Sequence, residues 1–136
     1  MDTNQKIITL DRKAKLSTLW IFVLFNVIFR DIHELFRPGL LEQMMAGSVN
    51  GVQVTDQALL LAGILIEIPI AMVLLSWIFE YRVNRLANII MGVFMIVSVV
   101  INNTAPDLDN IFFAAIEVVA LSLIIWYAWK WPKQES

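Results

Sequence analysis

The sequence predicts an all-α integral membrane protein in which four helices form an up-down bundle. Of its 136 residues, 59% are hydrophobic and only 16% are charged, and the mean hydropathy of +0.72 lies outside the range of ordinary soluble domains. The apolar residues fall into four runs, each close to the roughly 20 residues that a helix needs to cross a lipid bilayer. Together these observations predict a single transmembrane domain over residues 1–136.

The four predicted spans are residues 16–36, 57–79, 86–102 and 111–131. Arg12, Lys13 and Lys15 precede the first span as in a signal peptide, but no small-residue cleavage site follows the apolar stretch, so we expect a retained helix. The second and third spans are separated by a short connection, which predicts an antiparallel helical hairpin.

The connection between the first and second spans carries the signals of a short amphipathic helix on the outer side of the bundle. Pro38 suits the start of a helix, and apolar residues recur on one face over 40–45. A tight turn is then predicted over 49–52, and Thr55 or Asp56 is placed to cap the second span.

Basic residues indicate the orientation of the bundle. All Lys and Arg residues except Arg30 and Arg37 fall on the side of the two termini and the second-to-third connection. The five tryptophans fall at the helix ends on the same side, where amphipathic rings prefer to lie: Trp20, Trp77, Trp126, Trp129 and Trp131. The positive-inside tendency therefore predicts that both termini are cytoplasmic.

Composition excludes several classes of function. The chain has no Cys and one His, so we expect no metal site, and no motif indicates a cofactor. A formal net charge of −2 does not suggest a nucleic-acid partner. Because neither a nucleophile elbow nor a phosphate-binding loop is present, no reaction can be assigned, and whether the protein is an enzyme stays open.

Three ionisable residues lie deep inside the predicted spans, where a charge at a helix centre costs roughly 2.5–3.5 kcal/mol. Arg30 and Glu117 both lie about 9 Å from the outer ends of their helices, so we expect an ion pair between them, unless Arg30 reaches Glu67 instead. Glu67 lies near the midplane, and Gly63 and Ala71 flank it at the spacing of a close helix contact. We therefore expect Glu67 to face the bundle interior. Since desolvation favours the protonated acid, Glu67 is the candidate proton-exchanging group.

A polar pocket in the outer half of the bundle is the predicted site. Its expected ligand-binding residues are Asn26, Arg30, His33, Glu67, Asn102 and Glu117. We expect this pocket to bind a small or amphiphilic molecule, with transport or acid/base conversion as a subsequent step. Two other interpretations stay open. One is a non-catalytic structural membrane subunit whose ion pair locks helices together; the other is a proton-coupled exporter of small molecules. A homo-oligomer is also an open expectation.

Several stretches of the sequence resemble the bacterial domain-of-unknown-function family 6326: residues 16–26, 67–76, 81–88 and 124–131. The resemblance covers essentially the whole chain. It implies a small four-helix protein of the bacterial cytoplasmic membrane, without an assigned activity. The layout is more loosely similar to the DoxX-like group of four-helix membrane proteins, which is an analogy of architecture only.

Overall fold

A computed structural model describes residues 2–103 and 107–133, and these residues form an all-α bundle. Its elements are α1 (Thr3–Glu34), α2 (Leu40–Met45), β1 (Ser48–Val49), β2 (Val52–Gln53), α3 (Asp56–Ile78), α4 (Tyr81–Asn102) and α5 (Leu108–Trp129). The four long helices, α1, α3, α4 and α5, are each long and apolar enough to cross a membrane. The predicted fold class is therefore confirmed.

The four long helices alternate in direction and pack in the order α3, α1, α5, α4. Helix α1 contacts both α3 and α5, and α4 packs on α5, whereas the contact between α3 and α4 is much smaller. One end of the bundle holds the chain termini and the α3–α4 connection, and we call it the terminal end. The opposite end holds α2 and the β-hairpin, and we call it the hairpin end.

Helix α1 is longer than the predicted first span. It begins at Thr3 rather than at residue 16, and its 32 residues extend over about 48 Å, well beyond the roughly 30 Å hydrocarbon core. The sequence contains no Gly or Pro before Pro38, so nothing breaks the helix N-terminal to the apolar run. Smaller differences place the starts of α4 and α5 at Tyr81 and Leu108, ahead of the predicted residues 86 and 111.

The connection after α1 has the structure that its sequence predicts. Helix α2 occupies residues 40–45, and the strands β1 and β2 pair Val49 with Val52. Asn50 and Gly51 form the turn with φ angles of 51° and 80°, left-handed values that favour an Asn-Gly pair. The Thr55 side chain caps α3 by accepting a hydrogen bond from the Ala58 N–H.

The apolar core lies mainly along α1 and α5. Leu16, Trp20 and Val23 of α1 and Leu121 and Ile124 of α5 are fully buried. Helix α4 approaches α5 closely at Gly92, where an added Cβ would lie only 2.8 Å from the Ile125 side chain. Helix α3 is the least buried of the four, so most of its surface is open to the surroundings.

Candidate binding site between the helices

The terminal end of the bundle holds four neutral polar side chains that bond to one another. Trp20 Nε1 donates to Asn88 Oδ1 at 2.7 Å, and Asn88 Nδ2 donates to Asn84 Oδ1 at 2.7 Å. Asn84 Nδ2 in turn donates to the Ser76 backbone carbonyl at 2.6 Å, and the Ser76 hydroxyl donates to Asn88 Oδ1 at 3.5 Å. All four side chains are buried, and within the described chain none of their nitrogen or oxygen atoms lacks a partner. We call Trp20, Ser76, Asn84 and Asn88 the asparagine network; it ties α1 and α3 to α4.

The hairpin end holds a charged pair instead. Arg30 Nη1 of α1 donates to Glu117 Oε2 of α5 at 3.0 Å, and Arg30 Nε lies 3.8 Å from the Asp31 carboxylate. The Glu117 side chain is fully buried, whereas that of Arg30 is 24% exposed. Glu117 Oε1 is buried and accepts no hydrogen bond from the described residues. The pair therefore leaves one buried acceptor free.

A cavity of about 240 Å³ lies beside this pair, between α3 and α4, and we call it the deep cavity. Its polar lining comes from Arg30, Asp31, Ser98, Asn102 and Glu117. The remainder is apolar, with Ala62, Leu65 and Ile66 of α3 facing Met95 and Val99 of α4. The cavity therefore presents charged groups beside an apolar wall.

A second cavity of about 500 Å³ adjoins the first at the hairpin end, and we call it the mouth cavity. The two share Arg30, Val99 and Asn102 in their linings. Leu40 of α2 and Asn50 of the hairpin turn also line the mouth cavity, so the connection after α1 borders it. The deep cavity thus lies next to a wider polar opening.

Arg37 organises the acidic residues around the mouth cavity. Its guanidinium contacts Asp107, Glu34 at 3.1 Å and Asp109 at 3.2 Å. The hydrogen bond to Asp107 raises the pKa of Arg37 above its ordinary value, so this group stays cationic. The cluster joins the end of α1 to the start of α5.

Three of the six predicted ligand-binding residues meet at the deep cavity: Arg30, Asn102 and Glu117. The expected ion pair between Arg30 and Glu117 is present. Asn26 lies one helical turn deeper than Arg30, is half-buried, and its Nδ2 has no partner in the described part of the chain. It is not part of the cavity lining.

The prediction that Glu67 faces the bundle interior is wrong, because its side chain is exposed. Helix α3 buries the side that carries Pro69, Met72 and Ser76, and at 100° per residue Glu67 points about 140° away from Met72. An added Cβ at Gly63 would meet no atom within 4 Å, so the small residues around Glu67 do not mark a contact inside this chain. Glu67 is therefore absent from the described lining of both cavities.

His33 and Trp20 also differ from their predicted environments. His33 is exposed, lies 3.5 Å from Asp109 and contacts the Phe113 ring, and it is absent from the described lining of both cavities. Trp20 is buried in the asparagine network, so it is not an interfacial anchor like the exposed Trp77 and Trp129.

Asp31 and Ser98 belong to the deep cavity but were not among the predicted binding residues. The sequence does indicate a place for Ser98 at the site, because Ser98 is four residues from Asn102 and so lies on the same face of α4. Asp31 follows Arg30 directly in the sequence and lies beside the same polar stripe of α1, which was the signal for it.

The chemistry available at the site comes from carboxylates, one guanidinium and apolar side chains. Over residues 2–103 and 107–133, no three His, Asp or Glu side chains are placed to hold a metal ion. The deep cavity offers carboxylate acceptors in Asp31 and Glu117, a guanidinium in Arg30 and an adjoining apolar wall. These groups suit a molecule with a polar head and an apolar tail.

A model of the family described as "Family of unknown function (DUF6326)" matches residues 6–136. No curated protein and no solved structure matches the chain. The match covers nearly the whole sequence and includes every residue of the two cavities, but it brings no activity with it.

Proposed function

The chain belongs to the DUF6326 family of unknown function, and from its geometry we propose that it binds an amphiphilic molecule between α3 and α4. The polar head occupies the deep cavity beside Arg30 and Glu117, and the tail follows the apolar surfaces of α3 and α4. The observation that carries the proposal is the free Glu117 Oε1, a buried acceptor beside a cavity. A buried acceptor without a donor costs about 1–3 kcal/mol, and a donor on a bound ligand would remove that cost.

The size of the deep cavity limits which part of the ligand it holds. Pockets for whole drug-sized molecules span roughly 300–1,000 Å³, and the deep cavity has only about 240 Å³. It therefore takes a headgroup and the first carbons of a chain. Helices α3 and α4 make little contact with each other. The rest of the tail can therefore leave the cavity through the gap between these helices and extend into the lipid.

Charge favours a headgroup that is cationic or donates hydrogen bonds. Among the described residues that line the deep cavity, the cation Arg30 is outnumbered by the two carboxylates of Asp31 and Glu117. At the mouth, Arg37 is surrounded by three further carboxylates. An anionic head would meet a surplus of acidic groups, whereas an ammonium or a hydroxyl-rich head would meet acceptors.

The proposed location is the bacterial cytoplasmic membrane, with both termini in the cytoplasm. Basic residues at the terminal end support this orientation, among them Arg12, Lys13 and Arg85, which all bond to backbone carbonyls near helix ends. The exposed Trp77, Trp126 and Trp129 lie at the same end, as in an aromatic belt. In this orientation the mouth cavity opens to the outer side.

The experiment compares three single-chain amphiphiles that share a dodecyl tail: dodecylammonium, dodecyl maltoside and dodecyl phosphate. Native mass spectrometry of the purified chain measures how much of each stays bound. We expect dodecylammonium or dodecyl maltoside to be retained over dodecyl phosphate, and Glu117→Gln to lower that retention at least about fivefold, the loss of one charge-assisted hydrogen bond. Preferred retention of dodecyl phosphate would contradict the proposal.

Glu67→Gln is the matched control, because it makes the same chemical change on the exposed face of α3. We expect it to leave retention unchanged. The structural-subunit interpretation is favoured by one observation, the Arg30–Glu117 pair that bridges α1 and α5. It predicts that no amphiphile is retained above background by any variant, so the same measurement separates the two functions.

A further inference from the structure

Glu67 is an exposed carboxyl group at the centre of a membrane-spanning helix. Helix α3 runs from residue 56 to residue 78, so Glu67 has eleven residues of the helix on either side. Among the described residues it makes no hydrogen bond or ion pair, and apolar side chains surround it on the helix surface, including Leu60, Ile64 and Leu74, each at least half exposed. A polar group in this position requires a donor or acceptor from outside the chain.

The surface around Glu67 is shaped for a close helix contact. Gly63 lies one turn before Glu67 and Ala71 one turn after it, on one side of α3. Beside Gly63 there is open space, with no atom within 4 Å of an added Cβ, in contrast to Gly92 in the packed core. Small residues at this spacing let the backbone of another helix approach.

We propose that α3 pairs with α3 of a second copy of this chain, so that the two Glu67 side chains hydrogen-bond to each other across the contact. A protonated carboxyl group carries both a donor and an acceptor, so it is complementary to itself. In a two-fold symmetric pair the same surface meets itself. Since the two copies share one orientation in the membrane, a two-fold axis along the membrane normal brings both Glu67 carboxyl groups to the same depth.

This surface is separate from the binding site. The deep cavity is lined by Ala62, Leu65 and Ile66 of α3, and at 100° per residue these lie about 140° from Glu67 on average. Pairing through Glu67 therefore leaves the cavity and the gap between α3 and α4 unobstructed.

The test measures self-association of the full-length chain in liposomes by single-molecule photobleaching over a range of protein-to-lipid ratios. We expect the wild type to dimerise. Glu67→Leu removes the hydrogen bonds and Gly63→Ile blocks the close approach, so each should raise the dissociation constant about tenfold or more. Glu67→Gln keeps a donor and an acceptor and should stay within about twofold of the wild type.

Ala115→Ile is the matched control, since Ala115 is also exposed but lies on α5. It should leave association unchanged. A wild type that is monomeric at every ratio would overturn the proposal. So would loss of the dimer on Ala115→Ile without loss on Gly63→Ile. Circular dichroism of each variant in detergent confirms that a lost dimer is not a lost fold.

Discussion

The two ends of the bundle hold their buried polar groups in different ways. At the terminal end, the asparagine network is neutral and fully buried, and every side-chain donor and acceptor in it has a partner. At the hairpin end, the Arg30–Glu117 pair is charged and partly exposed, and Glu117 Oε1, next to a cavity, accepts no hydrogen bond from the residues that the structure describes. A satisfied neutral network stabilises one arrangement of helices, whereas a charged pair with a spare acceptor retains the capacity to bind.

The packing of the helices follows the same division. Near the asparagine network, α3 and α4 are held together by the bond from Asn84 to the Ser76 carbonyl. Towards the hairpin end they diverge around the deep cavity. The terminal end is therefore the more closely tied part of the bundle, and the hairpin end holds the cavity in which we propose that a ligand binds.

Replacing Asn88, which bonds to the other members of the asparagine network, should have the largest effect on stability. Asn88→Leu removes the acceptor of the Trp20 N–H and the donor to Asn84 Oδ1. Because each buried polar group left unpaired costs about 1–3 kcal/mol, we expect the free energy of unfolding in detergent to fall by about 3 kcal/mol. Unfolding followed by circular dichroism measures this change.

Asn102→Leu is the control at the other end. Asn102 is exposed, and among the described residues its Nδ2 donates only to the Ser98 carbonyl of its own helix, so we expect a loss below about 0.5 kcal/mol. An equal loss in the free energy of unfolding for Asn88→Leu and Asn102→Leu would show that the terminal end and the hairpin end do not differ in this way.

Breaking the charged pair should have the next largest effect. Arg30→Met leaves the buried Glu117 without its cation, and we expect the free energy of unfolding to fall by about 2 kcal/mol. The loss is smaller than for a buried carboxylate that must stay ionised, because a carboxyl group without its cation can take up a proton. The double variant Arg30→Met with Glu117→Leu should recover most of that loss, since an apolar pair needs no partner. A double-mutant cycle in detergent provides the measurement, and additive losses would show that the two residues do not interact.

Arg37 provides a smaller and salt-dependent contribution at the mouth. Arg37→Gln removes contacts to Glu34, Asp107 and Asp109, but the Arg37 side chain is 33% exposed, so we expect a smaller loss of stability than for Arg30→Met, measured at low salt. Screening should reduce the loss to about half at roughly 0.5 M NaCl. Lys15→Gln, which breaks the exposed single pair with Asp11, is the control and should change stability by no more than a few tenths of a kcal/mol. A loss that is independent of salt would show that Arg37 acts by packing.

Hydropathy and helical periodicity were sufficient to predict the architecture. Apolar runs long enough to span a membrane predict the four long helices, and residues 49–52 predict the turn that contains Asn50 and Gly51. The equal depths of Arg30 and Glu117 in their helices predict the ion pair between them. Each of these features depends on residues that are close in sequence or on simple counting of depth.

The orientation of α3 could not be predicted in the same way. Its surface is apolar nearly all round, so periodicity does not identify a buried side, and Gly63, Glu67 and Ala71 resembled an internal contact. The small-residue spacing indicates that a helix packs there, but it does not indicate whether that helix belongs to the same chain. The environment of Trp20 could not be predicted for a similar reason. A Trp near the start of an apolar run suits both the membrane interface and a buried hydrogen bond.

Filling the deep cavity should have the smallest effect on stability and a clear effect on binding. Ser98 lines the cavity and is half-buried, so Ser98→Leu adds apolar volume without displacing a packed side chain. We expect the free energy of unfolding to change by less than about 0.5 kcal/mol, while retention of the amphiphile in native mass spectrometry falls to background. Ser122→Leu makes the same change on the exposed surface of α5 and should leave both quantities unaltered. If Ser98→Leu stabilised the protein and still retained the amphiphile, the deep cavity would be a packing defect and not a binding site. The two ends of the bundle would then differ in the polarity of their buried groups but not in function.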